Sequence, residues 1–413
     1  MQPKGSRKPF WTILLFSCLS IPCLEAQQPR VAFVTSVNGT ADLGSWPEAG
    51  SALGASAGDE ICRTLATAAT LPNANSFVAW LSTSTDDAYC RIHGFTGKKS
   101  ANCGQPQLPV SAGPWVRADG LPFGESIDQL LAPESIVYYP LAADENGAFV
   151  YAPVFTTTTA NGALNSSEST CSDWTASSSE SSGAGNTARG SWGWTNFGGL
   201  RCDSSGHLFC FEPGPGPALT PPAEEGAVAF VTSLLGTADL GSWPDAGGKT
   251  GVAAADAICQ ARAAAGSLEN PSTFKAWISD STMNAKDRFL SNVARVRPDG
   301  VKVADSLTDM LDSVLDSSIN VTELGDYVGN NAVWTATHPT GLLSGDSCSD
   351  WTSASASSSA RTGSSYSSDS AWTLIFTSAC SFASSRLYCI EDPFIFIDGF
   401  ESGDTTGWSS SSP

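Results

Sequence analysis

The chain has 413 residues, including 39 glycines, 24 prolines and 12 cysteines, and only 15% of it is charged. That length gives two or three domains, each large enough to bury a core without a metal or a disulfide to rescue it, so the cysteines call for a separate explanation. With 41 acidic against 21 basic residues the formal charge is -20, a field that repels polyanions and argues against nucleic acid and heparin as partners.

At the start of the chain Lys4, Arg7 and Lys8 precede the apolar run Phe10–Leu24, and Ala26 stands before a polar stretch. This order predicts a secretory signal peptide over residues 1–26 rather than a membrane span, which needs about 20 apolar residues. The rival reading, a lipidated Cys23, has Pro22 where a small residue is wanted. Cleavage after Ala26 leaves 18 basic against 40 acidic residues, a charge of -22. Cys18 and Cys23 leave with the signal, and ten cysteines enter an oxidising space, where they read as disulfides before metal ligands or nucleophiles. No later segment reaches spanning length, so the mature chain is expected to be secreted or held at the cell surface.

Val31–Gly50 recurs as Val228–Gly247 with three differences. Asp59–Cys62 then matches Asp256–Cys259, Phe77–Ser82 matches Phe274–Ser279, Arg117–Gly120 matches Arg297–Gly300, and Cys171–Thr175 matches Cys348–Thr352. A period this long is a duplicated domain rather than a solenoid unit. The expected organisation is domain 1 over 27–212, a proline-rich linker over 213–226 that acts as a semi-rigid spacer, domain 2 over 227–392, and a tail over 393–413. In the second copy, Val228–Ser233 reads as a strand and 252–266 as a helix with Cys259 on its buried side. Thr273–Ser279 follows as a half-buried strand and Ser306–Leu315 as a second helix behind a serine cap. Short strands are expected around Val333-Trp334, Leu374–Phe376 and Arg386–Ile390, with the serine runs at 165–182 and 352–370 as solvated loops. The class is α+β.

The blocks Ala257–Ala263, Thr273–Ser279, Val333–Gly341, Cys348–Thr352 and Cys380–Glu391 resemble, in order and spacing, the endostatin domain at the C-terminus of collagens XV and XVIII. The resemblance spans about 228–392 and, more loosely, 31–212, where Phe155 replaces a tryptophan and an insert carries Cys90 and Cys103. It implies two tandem endostatin-like domains of the C-type lectin-like fold, as in secreted bacterial proteins, without a collagen repeat. It also implies nested disulfides: Cys62 with Cys210 and Cys171 with Cys202 in the first copy, Cys259 with Cys389 and Cys348 with Cys380 in the second. Cys90 and Cys103 are left to close the insert. The zinc and heparin sites of endostatin do not carry over, because the histidines and arginines that form them are missing. The end of the chain, Phe394–Ser409, resembles the Gly-Phe-Glu-x-Gly-Asp tail of many secreted bacterial proteins. That implies sorting or surface retention; a strand pairing with the second copy is the alternative.

Little in the sequence points to catalysis. The only histidines, His93, His207 and His338, have no counterparts in the other copy, and a hydrolase nucleophile usually needs a histidine base. No metal site and no cofactor is expected. Three acid pairs recur: Asp42 and Asp239, Asp59 and Asp256, Asp173 and Asp350. Calcium binding and glycosidase chemistry are open uses for them; the plainer reading has Asp42 and Asp239 capping turns and Asp59 and Asp256 beginning helices. Of the recurring tryptophans, Trp80 and Trp277 are expected in the core. Trp192 and Trp194 are taken as candidates for an exposed contact, with Asp173 and Asp350 as further binding candidates. The expected role is a non-enzymatic extracellular binding or adhesion module for a protein or glycan. The alternatives are a carboxylate-dependent glycoside hydrolase and a structural envelope protein.

Overall fold

The run Val31-Ala-Phe-Val34 is apolar at every position because the strand it forms is buried on both faces. The computed structural model describes residues 29–220 and 222–393; the expected signal peptide and the tail from residue 394 onward lie outside the described residues. In chain order the first half holds β1 (Arg30–Val34), α1 (Gly54–Ala68), β2 (Val78–Ala79), α2 (Ala88–Ile92), β3 (Trp115–Arg117), β4 (Pro122–Gly124) and α3 (Ile127–Leu130). Then come β5 (Pro153–Phe155), the one-turn α4 (Cys171–Trp174), β6 (Ser181–Asn186), β7 (Gly198–Arg201) and β8 (Phe209–Phe211). The second half holds β9 (Ala227–Val231), α5 (Gly251–Ala265), β10 (Phe274–Ala276), β11 (Arg295–Val296), β12 (Lys302–Ala304) and α6 (Leu307–Met310). It ends with β13 (Ala332–Trp334), the one-turn α7 (Cys348–Trp351), β14 (Ser359–Ser364), β15 (Phe376–Ala379) and β16 (Tyr388–Glu391).

The halves share one topology. The first has a five-stranded sheet in the order β2-β8-β1-β3-β4 and a three-stranded sheet β5-β6-β7; the second has β10-β16-β9-β11-β12 and β13-β14-β15. In both, the first strand pairs antiparallel with the last and parallel with the strand beyond the helix. Alternation of side chains along these strands feeds two cores. Phe33 and Cys210 face α1 with Ile61, Phe155 and Trp174, while Ala32, Val34, Phe209 and Phe211 face Trp80, Trp115, Phe123 and Trp194. The second half repeats the division, with Phe230 and Cys389 on the α5 side and Val231, Tyr388 and Ile390 against Trp277 and Trp372. Five cysteine pairs stand at disulfide distance: Cys62–Cys210, Cys90–Cys103, Cys171–Cys202, Cys259–Cys389 and Cys348–Cys380. They are the pairs that the resemblance implies, and each lies within one half.

Two expected elements differ. The helix expected over Ser306–Leu315 is only the four residues of α6. Ser306 Oγ caps it by accepting from Asp309 N at 3.0 Å, but Ser313 takes a left-handed φ of 85°. Leu315 N and Asp316 N then bond outward to the carbonyls of Ser368 and Val303. The serine run at 352–370 is not all loop, because β14 runs through it as the middle strand of its sheet. At one position of this strand, and at its counterpart in β6, a side chain is excluded for a steric reason. A Cβ on Gly363 would lie 2.0 Å from the Trp372 carbonyl oxygen, and one on Gly185 of β6 would lie 1.8 Å from that of Trp194.

The halves touch. Gly190 N donates to Tyr366 O at 2.7 Å and Ser368 N to Ala188 O at 2.9 Å, flanking an antiparallel bridge between Arg189 and Ser367. Counted from β6 and β14, Gly190 corresponds to Ser368 and Ala188 to Tyr366, so each bond is the image of the other under exchange of the halves, as in a two-fold dimer. Around it Arg189 Nη1 pairs with Asp369 at 2.6 Å and Lys302 N donates to Tyr139 Oη at 3.0 Å. Tyr138, Tyr139 and Val301 form a small shared apolar cluster. At the two ends of the proline-rich segment Pro215 O accepts from Arg30 and Glu224 N donates to Gly300 O, and the halves also meet directly.

Candidate functional site

The recurring Cys-Ser-Asp-Trp block forms α4 and α7, and both are left-handed. Cys171, Ser172, Asp173 and Trp174 have φ of 52°, 54°, 53° and 67°, and Cys348–Trp351 repeat these values within 2°. Such a conformation costs an L-residue on the order of 1–2 kcal/mol and is seldom adopted by consecutive residues. Three attachments hold each turn. Its cysteine is bridged, its tryptophan is buried with the indole donating to Ser82 O or Ser279 O at 2.9 Å, and its aspartate reaches across to a serine. Asp173 accepts from Ser84 N at 2.7 Å and from Ser84 Oγ. Asp350 accepts from Ser281 N at 2.9 Å, Ser281 Oγ at 2.6 Å and Ser347 Oγ at 2.8 Å. The helix that follows each first strand begins against this turn on a glycine. Gly54 has φ +60° and Gly251 +59°, and a Cβ there would stand 2.8 Å from Asp173 O or 3.0 Å from Asp350 O.

The serine donors set the charge of both carboxylates. Hydrogen bonds from the Ser281 side chain and backbone and from Ser347 hold Asp350 below the usual carboxylate range. Burial pushes Asp173 up, but the bonds from Ser84 prevail and leave it low as well. Beside Asp350 opens a cleft of about 550 Å³ lined by Ser281, Leu343, Asp346, Ser347, Asp350 and Ser357 to Ser359. Asp346 is exposed and Asp350 half-buried, so the cleft offers two carboxylates among hydroxyls. In the first half the corresponding ground is bridged, with Ser169 Oγ donating to Glu180 at 2.7 Å, where the second half has Asp346 and Ser358.

The other expected site residues are distributed differently. Trp194 is not an exposed contact: it is fully buried against Trp80 and Phe123, its ring centroid 5.2 Å from that of Trp80. Trp372 holds the equivalent place beside Trp277. Trp192 is half-buried and packs on Tyr366 across the junction of the halves. Asp59 and Asp256 do not begin helices. They sit in the middle of α1 and α5, where Asp59 accepts from Ala79 N at 2.9 Å and pairs with Arg91, and Asp256 accepts from Ala276 N at 2.9 Å and, through both carboxylate oxygens, from Arg288 Nη2. Asp42 and Asp239 stand at the starts of short 3-10 turns, but their carboxylates make no cap bond; their carbonyls accept from Ser45 Oγ and Ser242 Oγ instead.

One surface pair escaped the sequence reading. Phe149 and Tyr151 are exposed, with rings 1° from parallel and centroids 6.1 Å apart, and the Arg117 guanidinium lies 5.2 Å from the Phe149 ring. The signal was the i, i+2 spacing, which sets alternate side chains on one side of an extended segment. Among the described residues no group of three or more histidine, cysteine or acidic side chains is placed to hold a metal ion, and no helix is long and apolar enough to cross a membrane. Compared with known proteins, the chain matches no family model and no curated sequence.

Proposed function

We propose that the chain is an exported, non-enzymatic binding module built from two endostatin-like domains of the C-type lectin-like kind, and that it takes an extracellular glycan in the cleft beside Asp350. The observation that carries this reading is the ionised Asp350 carboxylate, fixed by Ser281 and Ser347 in a cleft walled by hydroxyls. A fixed carboxylate accepts charge-assisted hydrogen bonds from ligand hydroxyls, each stronger than a neutral pair, and serine hydroxyls can both donate and accept around it. A general acid would need the opposite tuning, a carboxyl held protonated near neutral pH by burial. Five cysteine pairs at bonding distance fit an oxidising compartment.

A glycan array probed with the mature chain and with Asp350→Asn tests the reading. The expected result is binding to a set of neutral glycans that falls about tenfold or more in the variant, the size of losing a hydrogen bond to a charged group. No glycan bound, or equal binding by the variant, would reject it.

A further inference from the structure

The duplication supplies an internal comparison at one surface. Segments 83–93 and 280–290 correspond residue for residue: Leu164 N donates to Asp87 Oδ1 at 2.9 Å as Leu343 N does to Asn284 Oδ1 at 2.9 Å, and Tyr89 N to Gly162 O at 3.1 Å as Lys286 N does to Gly341 O at 3.2 Å. In the first half this face is covered by the insert that Cys90–Cys103 closes. Asp87 N donates to Gly97 O at 2.9 Å and Lys99 N to Asp87 Oδ2 at 2.8 Å. Lys98 Nζ caps Thr83 O at 3.1 Å, and Lys99 Nζ caps Asn161 O at 2.8 Å while lying 4.0 Å from the Tyr89 ring centre. Beneath it Asp87, Tyr89 and Cys90 are 2%, 1% and 0% exposed.

The second half lacks the insert, and the same face is bare. Met283 is 46% exposed, Leu290 86%, Leu342 44% and Leu343 37%, an apolar group of the kind that marks an interaction surface. The carbonyls of Asp280 and Thr340 stand where those of Thr83 and Asn161 accept the two lysines, and among the described residues neither accepts a hydrogen bond. Asp280 also places a carboxylate where the first half has the Thr83 hydroxyl; its Oδ1 accepts from Thr282 N, Thr282 Oγ1 and Met283 N at 2.8 Å, while Asn284 stands where Asp87 lies 3.4 Å from Lys98 Nζ. Next to Asp280 a cavity of about 500 Å³ is lined by Val252, Asp280, Met283, Asp287 and Leu290 among others.

We propose that this face of the second half docks a loop from a partner protein, one carrying a lysine or arginine beside apolar side chains. The cation takes the Lys98 place at Asp280 O, with the Asp280 carboxylate supplying the charge that Asp87 gives Lys98 in the first half, and the apolar residues cover Met283, Leu290 and Leu343. A second copy of this face is the wrong occupant, because it would set Asp280 against Asp280. A glycan is also wrong, because the exposed leucines offer it no hydrogen bonds. Leu343 also lines the Asp350 cleft, but the docking turns on Asp280 and Met283, which line the neighbouring cavity and not that cleft.

The test is selection of disulfide-closed peptides from a displayed random library against the mature chain, with the binders re-measured on Asp280→Asn, Met283→Asp and Asp350→Asn. The expected result is enrichment of loops pairing a cation with apolar residues. Their binding should fall about tenfold in each of the first two variants, whose thermal midpoints stay close to that of the parent, and stay unchanged in Asp350→Asn. Failure to select any loop, absence of cationic enrichment, or binding indifferent to Asp280→Asn and Met283→Asp overturns the proposal. So does loss of binding in Asp350→Asn alone, which would move the docking to the cleft, or self-association abolished by Met283→Asp, which would make the occupant a second copy.

Discussion

Both ring nitrogens of His93 are in use: Ala112 N donates to Nε2 at 3.0 Å, so Nδ1 carries the proton it shares with Tyr89 O at 2.7 Å. Burial lowers the pKa of this ring, partly opposed by the Tyr89 carbonyl, and lowers that of His207, whose Nδ1 lies 2.6 Å from Thr35 O. A histidine held neutral in the fold stabilises it above the free imidazole value of about 6.5. That contribution is lost as pH falls from there towards the folded-state value, because the unfolded chain takes up the proton first. Urea unfolding should therefore show a lower midpoint at pH 5 than at pH 7.5, with the difference reduced in His93→Gln and His207→Gln. An identical pH response in these variants would assign the loss to carboxylates. A second expectation at this scale concerns Gly251, whose positive φ and approach to Asp350 O both exclude a side chain. Gly251→Ala should lower stability by about 1–3 kcal/mol, measured in the same urea series, whereas a neutral result would mean that the turn gives way. The importance of Asp173 and Asp350 was legible from their recurrence beside cysteine and tryptophan, but their serine partners Ser84 and Ser281, far away in sequence, were not. Trp194 was misplaced because its counterpart Trp372 sits in a run with little other identity, so the pattern that marks a core position was visible only once β6 and β14 were aligned.

At the scale of elements, the strands β1 and β9 and the helices α1 and α5 follow from patterning: continuous β-branched and aromatic runs, then alanine-rich segments begun on glycine. The element the sequence hid is β14. Its Ser-Ala-Arg-Thr-Gly-Ser run carries no strand signature, and at Gly363 the close approach of the Trp372 carbonyl excludes a side chain. Helix α6 failed in the other direction, since a sound amphipathic pattern was overruled by the bonds of Leu315 N and Asp316 N to neighbouring segments. The outer cysteine pair of the second half ties α5 to the last strand across a separation of 130 residues. In the chain-entropy model a loop of this length contributes about 5 kcal/mol, and removal of a native bridge commonly costs 2–5 kcal/mol. Cys259→Ala with Cys389→Ala should lower unfolding stability by an amount in that range. A change below about 1 kcal/mol would show that the helix is held by packing alone.

For the molecule as a whole, the contact between the halves was not legible, because Tyr139, Arg189, Val301 and Asp369, which take part in it, do not recur between the copies and the prolines of 213–226 pointed to separation. Packed halves fix the relative position of the Asp350 cleft and the Phe149–Tyr151 pair instead of letting them swing independently. A protease site placed at residues 217–220 tests this: after cleavage the halves should co-elute on gel filtration, and separate elution would return the linker to the role of a spacer. The central claim is that the recurring carboxylates bind rather than catalyse. Its most direct test is to incubate the glycan that binds best with the mature chain, with Asp173→Asn and with Asp350→Asn, following binding by calorimetry and cleavage by mass spectrometry. Binding should weaken in Asp350→Asn, with no cleavage products from any of the three proteins; glycan turnover by the parent chain that either substitution abolishes would contradict a binding role.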